Sequence, residues 1–182
     1  MHKTWLELFP EIEWIKDGEL REKTIRVNQE ALEIGGFQPA DLDKLPFTLL
    51  IPNNDVSYRT HVRAITHMLD SVYKDYGAFY GAYPLNYDYL IAGGILHDVG
   101  KIVEYQQKAD GGFEKSPIGK LMRHPFSGAG LAVKHGLPWE ISHIIATHAA
   151  EGDGGYRTPE AVLIYKIDTL NFMSLKAFKG MI

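Results

Sequence analysis

The sequence predicts an all-α fold, a helical bundle with a short mixed N-terminal extension, and three observations carry that expectation. Beyond residue 51 every strong periodic pattern has the spacing of an amphipathic helix. The stretches between these patterns mostly contain Gly or Pro, the residues that stop helices. The 182 residues include 45% apolar and 23% charged side chains, which suits one buried core in a single domain spanning 1–182.

Taken in order, residues 1–55 form the extension. Within it Leu20, Val27, Ala31 and Ile34 share one helical face before Gly35-Gly36 ends the pattern, so this part reads as scaffolding. Pro46 and Pro52 enclose Phe47-Thr48-Leu49-Leu50-Ile51, which is too short and too tightly bounded for a useful helix and is expected to be an extended connector. The core, 57–175, should contain helices over 58–76, 87–98, 124–135, 139–150 and 159–175. Pro138 marks the entry to the fourth. The fifth has the clearest start, with Thr158 as cap and Pro159 at the first helical position, where no backbone donor is missed. The tail 176–182 either packs on the domain or extends from it.

Composition excludes several classes. With no cysteine there are no disulfides, thiolate nucleophiles or sulfur-held zinc, so any metal must be bound by nitrogen and oxygen. The N-terminus scatters Glu7, Glu11 and Glu13 among its apolar residues and lacks the apolar core of a secretory signal. No apolar run approaches the roughly 18 residues of a membrane span, so cytoplasmic residence and no membrane partner are expected. A net charge of −4 and a pI near 6.0 argue against a broad surface for duplex nucleic acid but allow a small phosphorylated ligand.

The chemistry concentrates in His97-Asp98, inside Ile95-Leu96-His97-Asp98-Val99-Gly100-Lys101. Neighbours in a regular helix point about 100° apart, so both side chains reach one site most easily where the helix unwinds, and Gly100 offers that exit. His61 is in register with Ala64, Ile65, Met68 and Val72, and His148 follows Ile141, Ile144 and Ile145. Asp168 lies on a stripe with Ala161, Ile164, Tyr165, Phe172 and Leu175, where a lone carboxylate would cost several kcal/mol, so something cationic should meet it. His124 opens a helix whose inward face continues through Gly128 and Leu131. Any one of these could be an ordinary hydrogen-bonded core residue. Together, four histidines and two aspartates on successive helices point to a metal site. His2, His67, His135 and His143 fall off these faces and are expected to be bystanders.

The order His61, His97-Asp98, His124, His148, Asp168 resembles the HD-domain superfamily of metal-dependent phosphohydrolases. Leu96 to Tyr105, Gly119-Lys120-Leu121 before His124, and Thr158-Pro159-Glu160-Ala161 before Asp168 are most similar to the HD domain of certain bacterial 3′→5′ exoribonucleases. One departure stands out: their Asp-x-Leu-Asp pattern becomes Asp168-Thr169-Leu170-Asn171 here. The resemblance implies an HD-domain bundle in which His61, His97, Asp98 and Asp168 bind a first metal ion, while Asp98 bridges to a second bound by His124 and His148. Nitrogen and oxygen donors of this kind suit two divalent ions, Fe or Mn first, with Mg or Zn also compatible.

The implied activity is hydrolysis of a phosphoester of a nucleotide or other small molecule by a metal-activated water, with Asp98 and Lys101 catalytic and Lys101 and Arg123 on the substrate. Glu151, Asp153 and Arg157 are weaker candidates to complete the pocket. Two rival readings share the six ligands. One is a dinuclear-iron oxygenase similar to myo-inositol oxygenase or a phosphonate-cleaving oxygenase. The other is a non-catalytic domain that binds nucleotide or metal for regulation.

Overall fold

The computed structural model describes residues 2–81 and 84–182, and the side chains of all of these except His2 and Lys3. It is an all-α bundle carrying one small hairpin. The N-terminal region is helical: α1 (His2–Leu8), a 3₁₀ turn at Pro10–Trp14, α2 (Gly18–Gly35) and a 3₁₀ turn at Pro39–Asp43. The Asp17 carboxylate starts α2 by accepting the Glu19 and Leu20 amides. The helix buries Leu20, Ile25, Val27, Ala31 and Leu32, but Ile34, expected on this face, is exposed. At the end of the helix the Ile102 carbonyl presses on Gly35, where a Cβ would lie 2.2 Å from it.

α3 (Tyr58–Tyr80) is capped by Ser57, whose hydroxyl accepts the Thr60 amide. It runs four residues past its predicted end at 76 and turns Tyr58, His61, Val62, Ile65 and Leu69 inward, while Met68 is exposed. α4 (Tyr87–Leu96) is the central helix, buried continuously from Leu90 to Leu96 and flanked by α3, by α8 (Trp139–Thr147) and by α9 (Pro159–Phe178). The chain then turns through 97–100 into the short α5 (Lys101–Glu104). α9 opens as expected, the Thr158 hydroxyl accepting the Ala161 amide, and continues through Phe178 into the segment expected to be tail.

Between the helices expected over 87–98 and 124–135 the chain carries structure that the sequence pattern does not mark. There β1 (Tyr105–Gln107) and β2 (Phe113–Lys115) pair antiparallel, with Tyr105 opposite Lys115, followed by α6 (Pro117–Leu121) and α7 (His124–Lys134). Gly111, at φ 84°, makes the reversal, and the Asp110 carboxylate accepts the Gly112 amide. The connector 47–51 bends rather than running extended: the Thr48 hydroxyl accepts the Leu50 amide, and a single bridge pairs Pro46 with Ser57. Among the described residues no helix is long and apolar enough to cross a membrane.

Candidate metal centre

The bundle brings all six predicted side chains together. His61 comes from α3, His97 and Asp98 from the turn after α4, His124 from the start of α7, His148 from the residue after α8, and Asp168 from α9. They form two groups able to hold an ion, His61-His97-Asp168 and Asp98-His124-His148, the ligand atoms in each lying within 4.8 Å of one another. Asp98 joins the groups. Its Oδ2 is 3.3 Å from His61 Nε2 and 3.5 Å from His97 Nε2; its Oδ1 is 3.4 Å from His124 Nε2 and 3.3 Å from His148 Nε2. Asp168 Oδ1 lies 3.1 Å from His61 Nε2, which places His61 as the partner this carboxylate requires.

The hydrogen bonds on the far side of each imidazole decide what the near side offers. Nδ1 of His97 is 2.7 Å from the Gly94 carbonyl and Nδ1 of His148 is 2.7 Å from that of Ile145. Nδ1 of His124 meets Glu104 Oε2 at 2.8 Å, and Nδ1 of His61 meets Asn171 Oδ1 at 3.2 Å. Since each acceptor calls for a proton on Nδ1, a neutral ring presents a bare lone pair at Nε2. These lone pairs face carboxylate oxygens and one another, His61 to His97 at 3.3 Å and His124 to His148 at 3.2 Å. Asp98 Oδ1 is buried and has no hydrogen-bond partner. Lys101 donates to Asp98 Oδ2 only; the other acceptors packed this way are costly, and a cation between them removes the cost, so the residues fit divalent ions held by nitrogen and oxygen.

The electrostatics agree. Burial pushes the Asp98 carboxyl up, but Lys101 and the surrounding imidazoles outweigh it and hold the group well below the usual carboxylate range. Burial likewise opposes ionisation of Asp168, yet the His61 contact brings it down to about 2. His61 is pushed down by burial and up by Asp168 and Asp98, and the carboxylates win.

Local structure explains the convergence. α4 stops at Leu96, not at 98 as its periodicity suggests, and the following turn lets His97 and Asp98 both face the centre. Gly100 does not act as a left-handed exit, for its φ is −63°. Its role is close approach: a Cβ there would lie 2.0 Å from the His124 carbonyl, so only glycine lets the start of α7 press against the His97-Asp98 turn.

Sequence reasoning missed Glu104. This buried residue ends α5, and its Oε2 accepts the His124 amide at 2.6 Å as well as the His124 ring, while Oε1 accepts from Arg123 Nη1 at 2.7 Å. Burial raises its pKa, but the bonds from His124 and the charge of Arg123 bring it down to about 2. A carboxylate behind a metal-binding imidazole fixes the ring and makes it a stronger donor. His124 itself, pushed down by burial against the pull of Glu104, titrates at about 4 and is neutral at physiological pH.

The centre opens on a cleft of about 410 Å³ lined by Lys101, Lys115, Arg123, His124, His148 and Asp168, with an apolar wall from Phe47, Leu49, Leu50, Phe172 and Met173. Lys101 Nζ lies 2.7 Å from Asp98 Oδ2; burial lowers its pKa, but Asp98 more than compensates and raises it. Arg123 also donates to Glu151 at 2.9 Å. Arg157 is structural, donating to the Thr147 and Ala149 carbonyls and to Asp153 and stacking 3.9 Å above Tyr165.

The HD domain family matches residues 58–173, which is well over half of this chain and contains all six predicted side chains. The chain belongs to the HD-domain family. It is also 29% identical over 161 residues to the dihydroneopterin 2′,3′-cyclic phosphate phosphodiesterase of Methanocaldococcus jannaschii, an alignment covering 84% of this chain and 61% of that protein. The chain thus spans about three fifths of the length of the curated relative it matches. No solved structure matches.

The remaining histidines lie outside the HD centre. His67 pairs with Glu11 at 2.8 Å, His135 with Glu30 at 2.6 Å, and His143 Nε2 accepts the Thr158 amide at 3.2 Å. The His2 side chain falls outside the described residues. Of the residues that shape the cleft, 47–50 lie ahead of the segment that matches the HD domain.

Proposed function

We propose that the protein is a metal-dependent phosphohydrolase cleaving a phosphoester of a small molecule, and that the bond is a diester. The observation that carries this reading is Asp98, each of whose oxygens faces a separate cluster of imidazole nitrogens. The diester follows from the activity of the relative, a cyclic phosphate phosphodiesterase.

His61, His97, Asp98 and Asp168 would hold one divalent ion, and Asp98, His124 and His148 the other, with Fe or Mn suiting the donors best. Bound there, the ions supply Lewis acidity toward the phosphoryl oxygens and lower the pKa of water toward neutrality. The chain's own groups do the rest. Glu104 keeps the proton of His124 on Nδ1 and the ring aimed at the centre. Lys101 places an ammonium within reach of both Asp98 and the cleft, where it can exchange its contact with Asp98 for a phosphoryl oxygen. Arg123, on the same wall, offers a guanidinium anchored by Glu104 and Glu151.

The test is metal analysis of protein purified without chelator, joined to a phosphate-ester screen run with and without oxygen. Bound metal and hydrolysis that persists anaerobically are expected. Turnover that requires O₂ would move the protein to the oxygenases, and metal-loaded protein that binds phosphorylated compounds but cleaves none would make it a regulator.

A further inference from the structure

The cleft is polarised. Near His124 its lining is charged, Arg123 and Lys115 both meeting Glu104, at 2.7 and 3.5 Å. Near His61 it is hydrocarbon. Phe47 stacks on the His61 ring at 4.6 Å and meets Phe172 edge-on at 6.5 Å, and the loop that follows it carries Leu49 and Leu50 into the lining. That loop is held: the Thr48 hydroxyl accepts the Leu50 amide at 3.1 Å, and the Leu49 amide donates to the Tyr105 hydroxyl. Across from it α9 supplies Phe172 and Met173. Leu50 is 67% and Met173 41% exposed, although both line the concave face that contains the ligands. Large apolar side chains left in water at the mouth of such a site gain free energy when a ligand covers them.

We infer that residues 47–50 and α9 form a specificity wall for the part of the substrate beyond the phosphate, and that this part is a ring system. The inference rests on the phosphodiesterase reading for the position of the phosphate, which belongs over the metal clusters and beside the cations. A phosphate placed there leaves its organic substituent against Leu50, Phe172 and Met173. Beside Thr48 and Thr169 the wall is aromatic and aliphatic, and the cation nearest Phe47, Lys101 at 5.7 Å from its ring centroid, is already engaged by Asp98, so a ring finds apolar surface to cover. A cleft of about 410 Å³ accommodates one ring system with its phosphate. Substrate choice is then set in part by a loop outside the matched HD segment.

The test compares adenosine 2′,3′-cyclic phosphate with glycerol 1,2-cyclic phosphate, which carry the same five-membered phosphodiester with and without a base. The wild type is expected to prefer the adenosine compound in kcat/KM. In Leu50→Ser and in Met173→Ser, both at exposed positions that folding does not require, that selectivity should fall about tenfold, chiefly through KM. Leu50→Met should restore it. An unchanged ratio in the Ser variants would overturn the inference. Hydrolysis of neither compound by metal-loaded wild type would instead overturn the phosphodiesterase reading. The wall is then tested by calorimetric binding of adenosine 3′-monophosphate against glycerol phosphate, with the same expected loss for the adenosine compound in the Ser variants and the same overturning result if both bind equally.

Discussion

The half of the centre built on His61, His97 and Asp168 is backed by neutral groups, an Asn171 amide and the Gly94 carbonyl, and lies under the Phe47 ring. The half built on His124 and His148 lines the cleft and has a buried carboxylate, Glu104, behind one of its imidazoles. The first half has two carboxylates of its own reach, Asp98 and Asp168, while the second has only its share of Asp98. The difference teaches a division of labour. On the proposed two-ion reading, one half would retain its ion with two carboxylates, and the other would rely on Glu104 to strengthen a cluster with fewer protein ligands while leaving room for substrate.

The contrast can be broken at several points. Asp98→Ala removes the group both halves share, and hydrolysis should fall by at least about a thousandfold, with metal content dropping on chelator-free analysis. Gly100→Ala comes next. A Cβ 2.0 Å from the His124 carbonyl must push α7 off the His97-Asp98 turn, costing about 2–4 kcal/mol in a denaturant melt and separating the cluster that faces the cleft from the other.

Glu104→Gln sharpens the contrast most selectively. Affinity for one of two metal equivalents should weaken about 10- to 100-fold in a calorimetric titration while the other is retained. Equal weakening of both would show Glu104 to be a general structural support.

The smallest effect is in pH. Glu104 is held down to about 2 from an ordinary 4.5, so its contribution to stability is fully present above pH 4.5 and is lost as pH falls toward 2. His124, neutral in the fold and titrating at about 4 against an ordinary 6.5, loses stability as pH falls from 6.5 toward 4. In metal-free protein the gap between wild type and Glu104→Gln should be on the order of 1–2 kcal/mol at neutral pH and narrow steadily as pH falls from 4.5 toward 2. A gap that does not narrow over that range would contradict the assignment.

What the sequence made legible follows the same contrast. The six converging side chains could be picked out because each projects from an apolar helical face or from the end of one, and a 3.6-residue period exposes such faces directly. Glu104 could not. It follows Ile102 and Val103 in an apolar run, and its partners Arg123 and His124 arrive only after a hairpin and α6 fold back on it. Gly100 was noticed for the wrong reason, since a glycine needed for close approach and one needed for a left-handed turn look alike in sequence. Phe47 and Leu50 looked like a connector because their role depends on α9, more than a hundred residues away, forming the other wall. Asn171 had a signal, its spacing of three from Asp168, but its contact with His61 required the packing of α9 on α3.

The most direct test is a crystal structure of manganese-loaded protein with anomalous scattering recorded for the metal. Two peaks roughly 3.5–4 Å apart are expected, one on each side of the Asp98 carboxylate. A single peak, or peaks away from residue 98, would contradict the shared-carboxylate centre on which the division of labour depends.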